Sequence, residues 1–198
     1  MPEFIRKVSH ELYRNPWCIL EAHEIIHPNG TPGEHVLVRV PVAAATVVVD
    51  GSDVLLTRQH RFAIERSVLE ITKGGTHDAE TPLECAQRET REELGVLARL
   101  WEPMGIVYEI PSIVSNPVHL FLAREIEHVP QDMEPVETID VERFSFAAAL
   151  HAVVEGRIND AVTTAALLRA AVRLGYATLT PAASASRSRD ARADRARD

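Results

Sequence analysis

Cysteine is scarce in this chain, and a long apolar run is missing. Only two cysteines occur among the 198 residues, so no disulfide framework is indicated and a reducing, cytoplasmic location is the expectation. No apolar stretch approaches the roughly 18 residues needed to cross a membrane. The segment from Met1 to His10 also lacks the apolar core of a signal peptide. We therefore expect a cytoplasmic protein without a membrane partner.

Positive charge is in short supply as well. Lysine and arginine number 21 against 29 aspartates and glutamates, which leaves a net charge of −8. Five arginines and three aspartates lie between Ala182 and Asp198, so this tail is +2 and the rest of the chain is −10. Proteins bind nucleic acid by neutralising its phosphates with lysine and arginine, so we expect no nucleic-acid partner. For a pyrophosphate substrate, metal ions and locally placed arginines would have to offset the phosphate charge.

The remaining composition suits one well-buried domain. Hydrophobic residues make up 45% and charged residues 25% of the chain, as is usual for a soluble globular protein. The chain divides into N-terminal strands over residues 1–40, which could form a dimer contact, and a main domain over residues 41–178. Residues 179–198 are a low-complexity tail of Ala, Ser, Arg and Asp, for which we expect disorder.

Hydrophobic patterning places strands and helices within the main domain. β-Branched apolar runs at 43–49 and 54–57 flank Asp50-Gly51, which predicts a hairpin. A short strand at 67–71 leads to Gly74. The further predicted segments are strands at 98–110 and 118–125, helices at 146–155 and 160–174, and loops at 111–117 and 131–142.

One short motif in the N-terminal part resembles a metal site. His23 to His27 reads H-E-x-x-H, the zinc metalloprotease signature, which requires a helix that puts both histidines on one face. Ile25, Ile26 and the breaker at 28–30 instead favour a strand entering a turn. We therefore expect no zinc site here.

The most informative segment runs from Gly74 to Val96. Gly74 is followed after five residues by Glu80 and after seven more by a run that begins with Arg88. A helix is predicted between them, with Thr81 as N-cap in a capping box and Pro82 at the first helical position. Gly95 suits the left-handed position past the helix end.

Three carboxylates of this helix cluster on one flank, namely Glu89, Glu92 and Glu93. Glu89 and Glu93 are one turn apart, so their carboxylates are neighbours and repel one another unless something positive lies between them. Arg88 can neutralise part of the charge, and hard divalent cations such as Mg²⁺ take oxygen ligands. A merely solvated acidic face is the alternative. The fixed spacing of Gly74 and Glu80 favours the metal site.

The pattern G-x5-E-x7-R-E-U-x-E-E-x-G-U resembles the Nudix box of hydrolases that cut nucleoside diphosphates linked to another moiety. Thr90, at the first bulky apolar position U, is the one departure within it. Flanking segments resemble ADP-ribose pyrophosphatases. The matching segments are Arg58 to Phe62, Leu69-Glu70 before Gly74, His119 to Ala123, and Gly156 to Thr163.

The resemblance implies a Nudix fold, an α/β/α sandwich around a mixed β-sheet, in a homodimer whose N-terminal strands complete the partner's site. It implies a Mg²⁺-dependent hydrolase, with Mn²⁺ as an alternative metal. The substrate would be a nucleoside diphosphate sugar resembling ADP-ribose, cut at its pyrophosphate bond into a nucleoside monophosphate and a sugar phosphate. The implied metal ligands are Glu89, Glu92, Glu93 and the carbonyl of Lys73; Glu92 and Arg88 are the catalytic residues, and Arg58, Arg61 and Glu70 bind substrate.

Two departures bear on the chemistry. Asn116 stands where the family loop carries a glutamate that can act as catalytic base, and Lys73 stands where the family has alanine. The substrate can therefore be another nucleoside diphosphate sugar. The base can be Glu92 or a carboxylate of the 131–142 segment, where Asp132, Glu134 and Glu137 lie. A non-catalytic Nudix domain that senses a nucleotide sugar is the alternative function.

Overall fold

The computed structural model describes residues 3–133 and 138–179. Glu134, Glu137 and nearly all of the predicted tail lie outside these ranges, so the expectations for them stay predictions. The elements in chain order are β1 (Ile5–Arg14), β2 (Ile19–Ile26), β3 (Pro32–Arg39), β4 (Ala43–Asp50), β5 (Asp53–Arg61), a 3₁₀ turn (Phe62–Ile64), β6 (Arg66–Glu70), β7 (Thr72–Gly75), α1 (Pro82–Leu94), β8 (Val96–Tyr108), β9 (Val114–Ser115), β10 (Pro117–His128), β11 (Ile139–Ser145), α2 (Phe146–Val154) and α3 (Ala161–Arg173).

The larger sheet forms the centre of the molecule. Its strand order is β11-β5-β4-β10-β8, with β6 paired to β5 and β7 paired to β4. β4 and β10 run parallel and the other pairs run antiparallel, so the sheet is mixed. Alternate residues of β4 face opposite sides: Ala45 and Val47 pack with α2 and α3, whereas Ala44 and Val48 pack with α1. The predicted α/β/α sandwich is confirmed.

The smaller sheet has the order β1-β2-β3-β9. β2 and β3 form a hairpin around the predicted break at residues 28–30, so His23 lies on a strand. In the described ranges, no group of three His, Cys, Asp or Glu side chains is placed to hold a metal ion as it stands, and this includes the carboxylates of α1, two of which are paired with Arg88. β9 comes from the loop at 111–117 and pairs in parallel with the end of β3, which joins the N-terminal strands to that loop.

Strands were predicted for residues 1–40, and β1 is one of them, although its residues show no clean alternation of apolar and polar side chains and all ten are exposed. Within the predicted loop at 111–117, Val114–Ser115 form the short strand β9. The prediction of a loop at 131–142 is wrong from Ile139 onward, where β11 begins and pairs with β5. None of the described helices is long and apolar enough to cross a membrane.

Helix α1 begins and ends as its sequence predicts. The Thr81 hydroxyl accepts a hydrogen bond from the backbone N–H of Glu84, whose carboxylate accepts one from the Thr81 N–H at 2.8 Å. Pro82 occupies the first turn, and Gly95 ends the helix in the left-handed conformation with φ of 62°. These local signals determine the length of the helix that carries the acidic cluster.

Candidate active site

Arg88 lies at the centre of the acidic cluster on α1. Its Nε donates to Glu80 Oε1 at 2.9 Å, and its Nη1 donates to Glu89 Oε1 at 2.6 Å and to Glu92 Oε2 at 2.9 Å. Its Nη2 donates to the carbonyl of Gly75 at 2.9 Å. The hydrogen bond from Arg88 is the main cause that lowers the pKa of Glu80, and the reciprocal bond raises the pKa of Arg88. One guanidinium thus meets three carboxylates, and the cluster keeps a net negative charge.

Gly74 brings strand β7 close to α1. A Cβ atom at this position would overlap the carboxylate of Glu89, so the glycine lets this carboxylate lie against β7 in its present position. Cys85, one turn before Glu89, has its thiol 3.4 Å from the Gly74 carbonyl, and burial raises its thiol pKa to about 12. Glu93 is also buried, with 6% of its surface exposed. The box residues that are distant in sequence therefore meet at one place.

The donor atoms of this cluster suit a hard divalent cation. Glu89, Glu92, Glu93 and the carbonyl of Lys73 offer only oxygen, the donor type that Mg²⁺ and Mn²⁺ prefer. Arg88 lies between Glu89 and Glu92 and takes one oxygen of each. To bind a cation, these two side chains would turn their oxygens away from the guanidinium, while Gly74 leaves the Glu89 carboxylate space against β7.

Arg58 and Arg61 lie on opposite faces of β5, because they are three residues apart on one strand. Arg61 pairs with the buried carboxylate of Glu70 through its Nε, at 3.1 Å from Oε2, and lies within electrostatic reach of Glu93. Arg58 pairs instead with Glu142 of β11. The structure brings Arg61 and Glu70 towards the acidic cluster and leaves Arg58 on the face of α2 and α3.

A second carboxylate site lies around Glu109, which sequence reasoning missed. Lys73 Nζ lies 2.9 Å from Glu109 Oε1, and the Asn116 amide donates to Glu109 Oε2 at 2.8 Å. Asp160, the N-cap of α3, lies 3.9 Å from Lys73 Nζ. The only signal in the sequence is an acidic residue at the end of an apolar strand, just before the loop at 111–117.

The carboxylates predicted as alternative bases are placed differently. Glu92 is held by Arg88, as described above. Asp132 is exposed, and its carboxylate lies 3.5 Å from Arg91 in the last turn of α1. Glu134 and Glu137 lie outside the described residues.

A cavity of about 630 Å³ lies between the smaller sheet and the loop at 111–117. Its lining includes Phe4, Arg6, His23, His35, Pro111 and Ser112. Aromatic and imidazole rings beside one guanidinium form a wall that can stack on a planar ring and donate hydrogen bonds to it. The loop at 111–117 contributes Pro111 and Ser112 to the lining of this cavity and also carries Asn116, which binds Glu109. The cavity and the Glu109 site therefore share this loop.

Comparison with known proteins gives consistent matches. The family model described as NUDIX domain matches residues 39–166. The chain is 28% identical over 151 residues to the ADP-ribose pyrophosphatase of Bacillus subtilis (strain 168), covering 75% of this chain and 82% of that protein. It is 30% identical over 155 residues to the CMP-5'-(N-acetyl-N-hydroxy-3-aminopropyl)phosphonate hydrolase of Streptomyces rubellomurinus (strain ATCC 31215), covering 78% and 75%.

Two further proteins, one curated relative and one solved structure, also match this chain. The methanol dehydrogenase activator of Bacillus methanolicus is 26% identical over 151 residues, covering 75% of this chain and 82% of the activator. Among solved structures, one described as an ADP compounds hydrolase superposes with a TM-score of 0.79 and 20% identity, covering 88% of this chain and 95% of that one. At this identity the structural match bears on the fold alone.

Proposed function

The chain belongs to the Nudix family and is a Nudix hydrolase, and we propose that it cleaves the pyrophosphate bond of a nucleoside diphosphate sugar resembling ADP-ribose, with Mg²⁺ or Mn²⁺ as cofactor. The products would be a nucleoside monophosphate and a sugar phosphate. The meeting of the α1 carboxylates with Gly74 of β7 carries the proposal, because it gathers oxygen donors at one place around a single arginine.

The proposed roles follow from the contacts of each side chain. Glu89, Glu92 and Glu93, with the carbonyl of Lys73, would hold the metal, which when bound offsets charge on the phosphoryl oxygens and lowers the pKa of water. Arg88 orients Glu92 and Glu89 through its fork of donors. Arg61, held by Glu70, would face the diphosphate from β5.

Arg58 is the weakest of the proposed substrate contacts. Its partner Glu142 neutralises it on the opposite face of β5, away from the acidic cluster. A role in binding would require the substrate to reach around the strand, so we assign Arg58 to holding β11 on β5.

The nucleoside end of the substrate would lie in the cavity beside the loop at 111–117. Its volume of about 630 Å³ falls within the usual range for small-molecule sites. Two relatives bear names of nucleotide-derivative hydrolases, an ADP-ribose pyrophosphatase and a CMP-phosphonate hydrolase. Both substrates named there share a nucleoside phosphate, which supports this class without choosing the group attached to it.

A homodimer is part of the proposal. On one face of the smaller sheet, Ile5, Val8 and Tyr13 of β1 and Val36 of β3 are all exposed, between 40% and 56%. Within the described ranges β1 is also the edge strand of that sheet, and no described strand pairs with its outer side. The same face also carries His10, Glu24 and Glu34, so it is mixed in character. A second copy of the chain would cover its apolar side chains and pair with the edge of β1.

The test of the activity is a panel of nucleoside diphosphate sugars, dinucleotides and nucleoside triphosphates incubated with Mg²⁺, with monophosphate release followed by chromatography. We expect ADP-ribose-like compounds to be cleaved. Glu89→Gln and Glu93→Gln should each reduce turnover by roughly 10²- to 10³-fold while the melting temperature is kept. Glu127→Gln, an exposed carboxylate on β10, is the matched control and should behave as wild type. Cleavage of triphosphates alone, or full activity in both box variants, would refute the proposal.

A further inference from the structure

A second, smaller pocket of about 240 Å³ lies where the smaller sheet meets the start of β4. Trp17 and the arginines Arg14 and Arg39 line it, together with Val40 and Pro41, and we call it the Trp17 pocket. Its described lining includes no aspartate or glutamate. An aromatic ring beside guanidinium groups suits a ligand that has a ring to stack and a phosphate to bind.

We propose that the Trp17 pocket binds the sugar phosphate half of the substrate, with Arg39 on the phosphate next to the sugar and Trp17 on the sugar ring. The inference rests on the proposed pyrophosphate hydrolysis and names the residues that would select the group attached to the nucleoside diphosphate. The nucleoside itself would lie in the larger cavity beside the loop at 111–117.

The pocket adjoins the Nudix box through Pro41. A Cβ atom placed on Gly75 would lie 3.4 Å from the Pro41 Cβ, so Pro41 packs on β7 there. The carbonyl of Gly75 accepts a hydrogen bond from Arg88 at 2.9 Å. The next residues are joined as well, because the Thr76 N–H donates to the Val42 carbonyl at 2.7 Å. The wall of the pocket and the central arginine of the box therefore contact the same glycine.

Arg39 offers donors that its own chain does not use. Its Nε donates to Glu21 Oε2 at 2.7 Å, whereas its two Nη nitrogens have no partner among the described residues. The arginine side chain is 40% exposed. One edge of the guanidinium is thus held by a carboxylate and the other is open, which is a geometry in which arginine binds phosphate. Arg14 differs, because Glu11 takes both its Nε and its Nη2.

The backbone around Trp17 is held by a turn. The side-chain oxygen of Asn15 accepts from the N–H of Trp17 at 2.9 Å and from that of Cys18 at 2.7 Å. Trp17 itself is 75% exposed. A single exposed apolar side chain is ordinary on a protein surface. Here the exposed ring stands on a fixed turn and shares a pocket with the open edge of Arg39, which suits a sugar phosphate between them.

A contact between subunits is the competing explanation for Trp17, because the turn at 15–18 joins β1 to β2 in the sheet proposed to form the dimer. The two roles differ in what they change. A residue that binds the sugar equally in the ground state and the transition state changes KM and leaves kcat nearly unchanged. A residue that only joins two subunits changes the mass of the assembly.

The experiment measures kcat and KM for the best nucleoside diphosphate sugar of the panel in Arg39→Gln and Trp17→Ala. Arg99→Gln is the control, since Arg99 lies on β8 with a side chain that is 77% exposed. We expect KM to rise roughly tenfold or more in each pocket variant while kcat stays within about threefold of wild type. The control should behave as wild type.

Two conservative variants protect the test against misfolding. Trp17→Phe keeps an aromatic face and should retain most of the wild-type affinity. Arg39→Lys keeps a positive charge for Glu21 but lacks the second edge of the guanidinium, so it should also raise KM. It carries the test if Arg39→Gln does not fold.

A calorimetric titration without metal separates this inference from the proposed function. The probe is the sugar phosphate released from the best substrate, or ribose 5-phosphate if no compound is cleaved. We expect wild type and Arg99→Gln to bind the probe, and Arg39→Gln and Trp17→Ala to bind it at least roughly tenfold more weakly, because they lose charge-assisted hydrogen bonds or stacking. If wild type cleaves no compound of the panel, the proposed function fails and the titration alone decides the inference.

Three results would overturn the inference and leave the proposed function intact. One is turnover with KM within about twofold of wild type in both Arg39→Gln and Trp17→Ala. Another is a probe that does not bind wild type, or that binds both variants as tightly as wild type. The third is a Trp17→Ala variant that has the mass of one chain and an unchanged KM, which would assign Trp17 to the subunit contact.

Discussion

At the scale of single residues, Arg88 concentrates most of the charge pairing of the site. Its guanidinium contacts Glu80, Glu89 and Glu92 and the carbonyl of Gly75, and only 21% of its side chain is exposed. Lysine carries the same charge as a single point and cannot reach several carboxylates in a fixed plane. Replacement of arginine by lysine therefore separates the effect of the charge from that of the fork.

We expect Arg88→Lys to lower the melting temperature without metal by several degrees, because the acidic side chains lose donors and repel one another. Added Mg²⁺ should narrow the gap to wild type by offsetting that repulsion. Metal affinity and turnover should fall by roughly 10- to 100-fold, as for other residues that orient metal ligands. The measurements are differential scanning calorimetry and calorimetric titration with Mn²⁺. Arg91→Lys on the same helix, with its more exposed arginine, is the control, and equal behaviour of the two variants would contradict the assignment.

At the scale of elements, the packing of α1 on the sheet contains an unusual polar spot. On β4, Thr46 lies between Ala44 and Val48; on α1, Thr90 lies between Ala86 and Leu94. Because Ala44 packs near Ala86 and Val48 near Leu94, the two threonines face each other midway. Thr72 of β7 is the strand partner of Thr46. All three hydroxyls are buried without a hydrogen-bond partner among the described residues, and they divide the apolar packing under α1 into two clusters.

Removal of one such hydroxyl should stabilise the fold. Thr90→Val keeps the shape and removes a buried unpaired group, so we expect the free energy of unfolding to rise by about 1 kcal/mol, or roughly 2–4 °C in melting temperature. Thr163→Val is the matched contrast on α3. The Thr163 hydroxyl accepts from the N–H of Ile71 at 3.1 Å and donates to Asp160 at 2.7 Å, so its loss should cost about 1–3 kcal/mol. Urea unfolding of both variants measures the change in the free energy of unfolding, which should be a rise for Thr90→Val and a fall for Thr163→Val. A destabilised Thr90→Val would mean that the Thr90 hydroxyl has a hydrogen-bond partner.

At the scale of the whole molecule, the smaller sheet is the part that a single chain covers least. All ten residues of β1 are exposed, so that strand gains little burial from its own chain. β1 is held by its pairing with β2, and the smaller sheet is joined to the loop at 111–117 by the pairing of β3 with β9. The proposed dimer would supply the missing burial.

Light scattering should therefore give twice the chain mass of 21.9 kDa for wild type at micromolar concentration. Val8→Glu places a charge in the apolar face and should shift the mass to that of one chain. Val141→Glu on β11 starts from a similar exposure, 39% against 43%, and should leave the dimer intact. A wild-type mass of one chain, or dissociation by both variants alike, would refute the dimer.

Local sequence determined the helix and the turns of the box. The capping residues around Thr81, the glycine at the end of α1 and the spacing of the carboxylates all act within a few residues, where helix geometry leaves little choice. The hairpin around Gly51 and the strand character of His23 to Ile26 are likewise local. These features could be predicted because no distant contact opposes them.

Contacts between side chains that are distant in sequence depend on how the strands are arranged in the folded protein. Arg58 pairs with Glu142 across 84 residues, and Glu109 meets Lys73 across 36. β1 has little apolar pattern of its own and forms because β2 offers it backbone hydrogen bonds. β11 alternates apolar and charged residues from Ile139 to Glu142, and it forms by pairing with β5. The periodicity of a strand shows that two residues lie on one face or on opposite faces, but the identity of what covers each face depends on the long-range order of strands. That order placed a carboxylate beside Asn116, where the sequence alone indicated that one was missing.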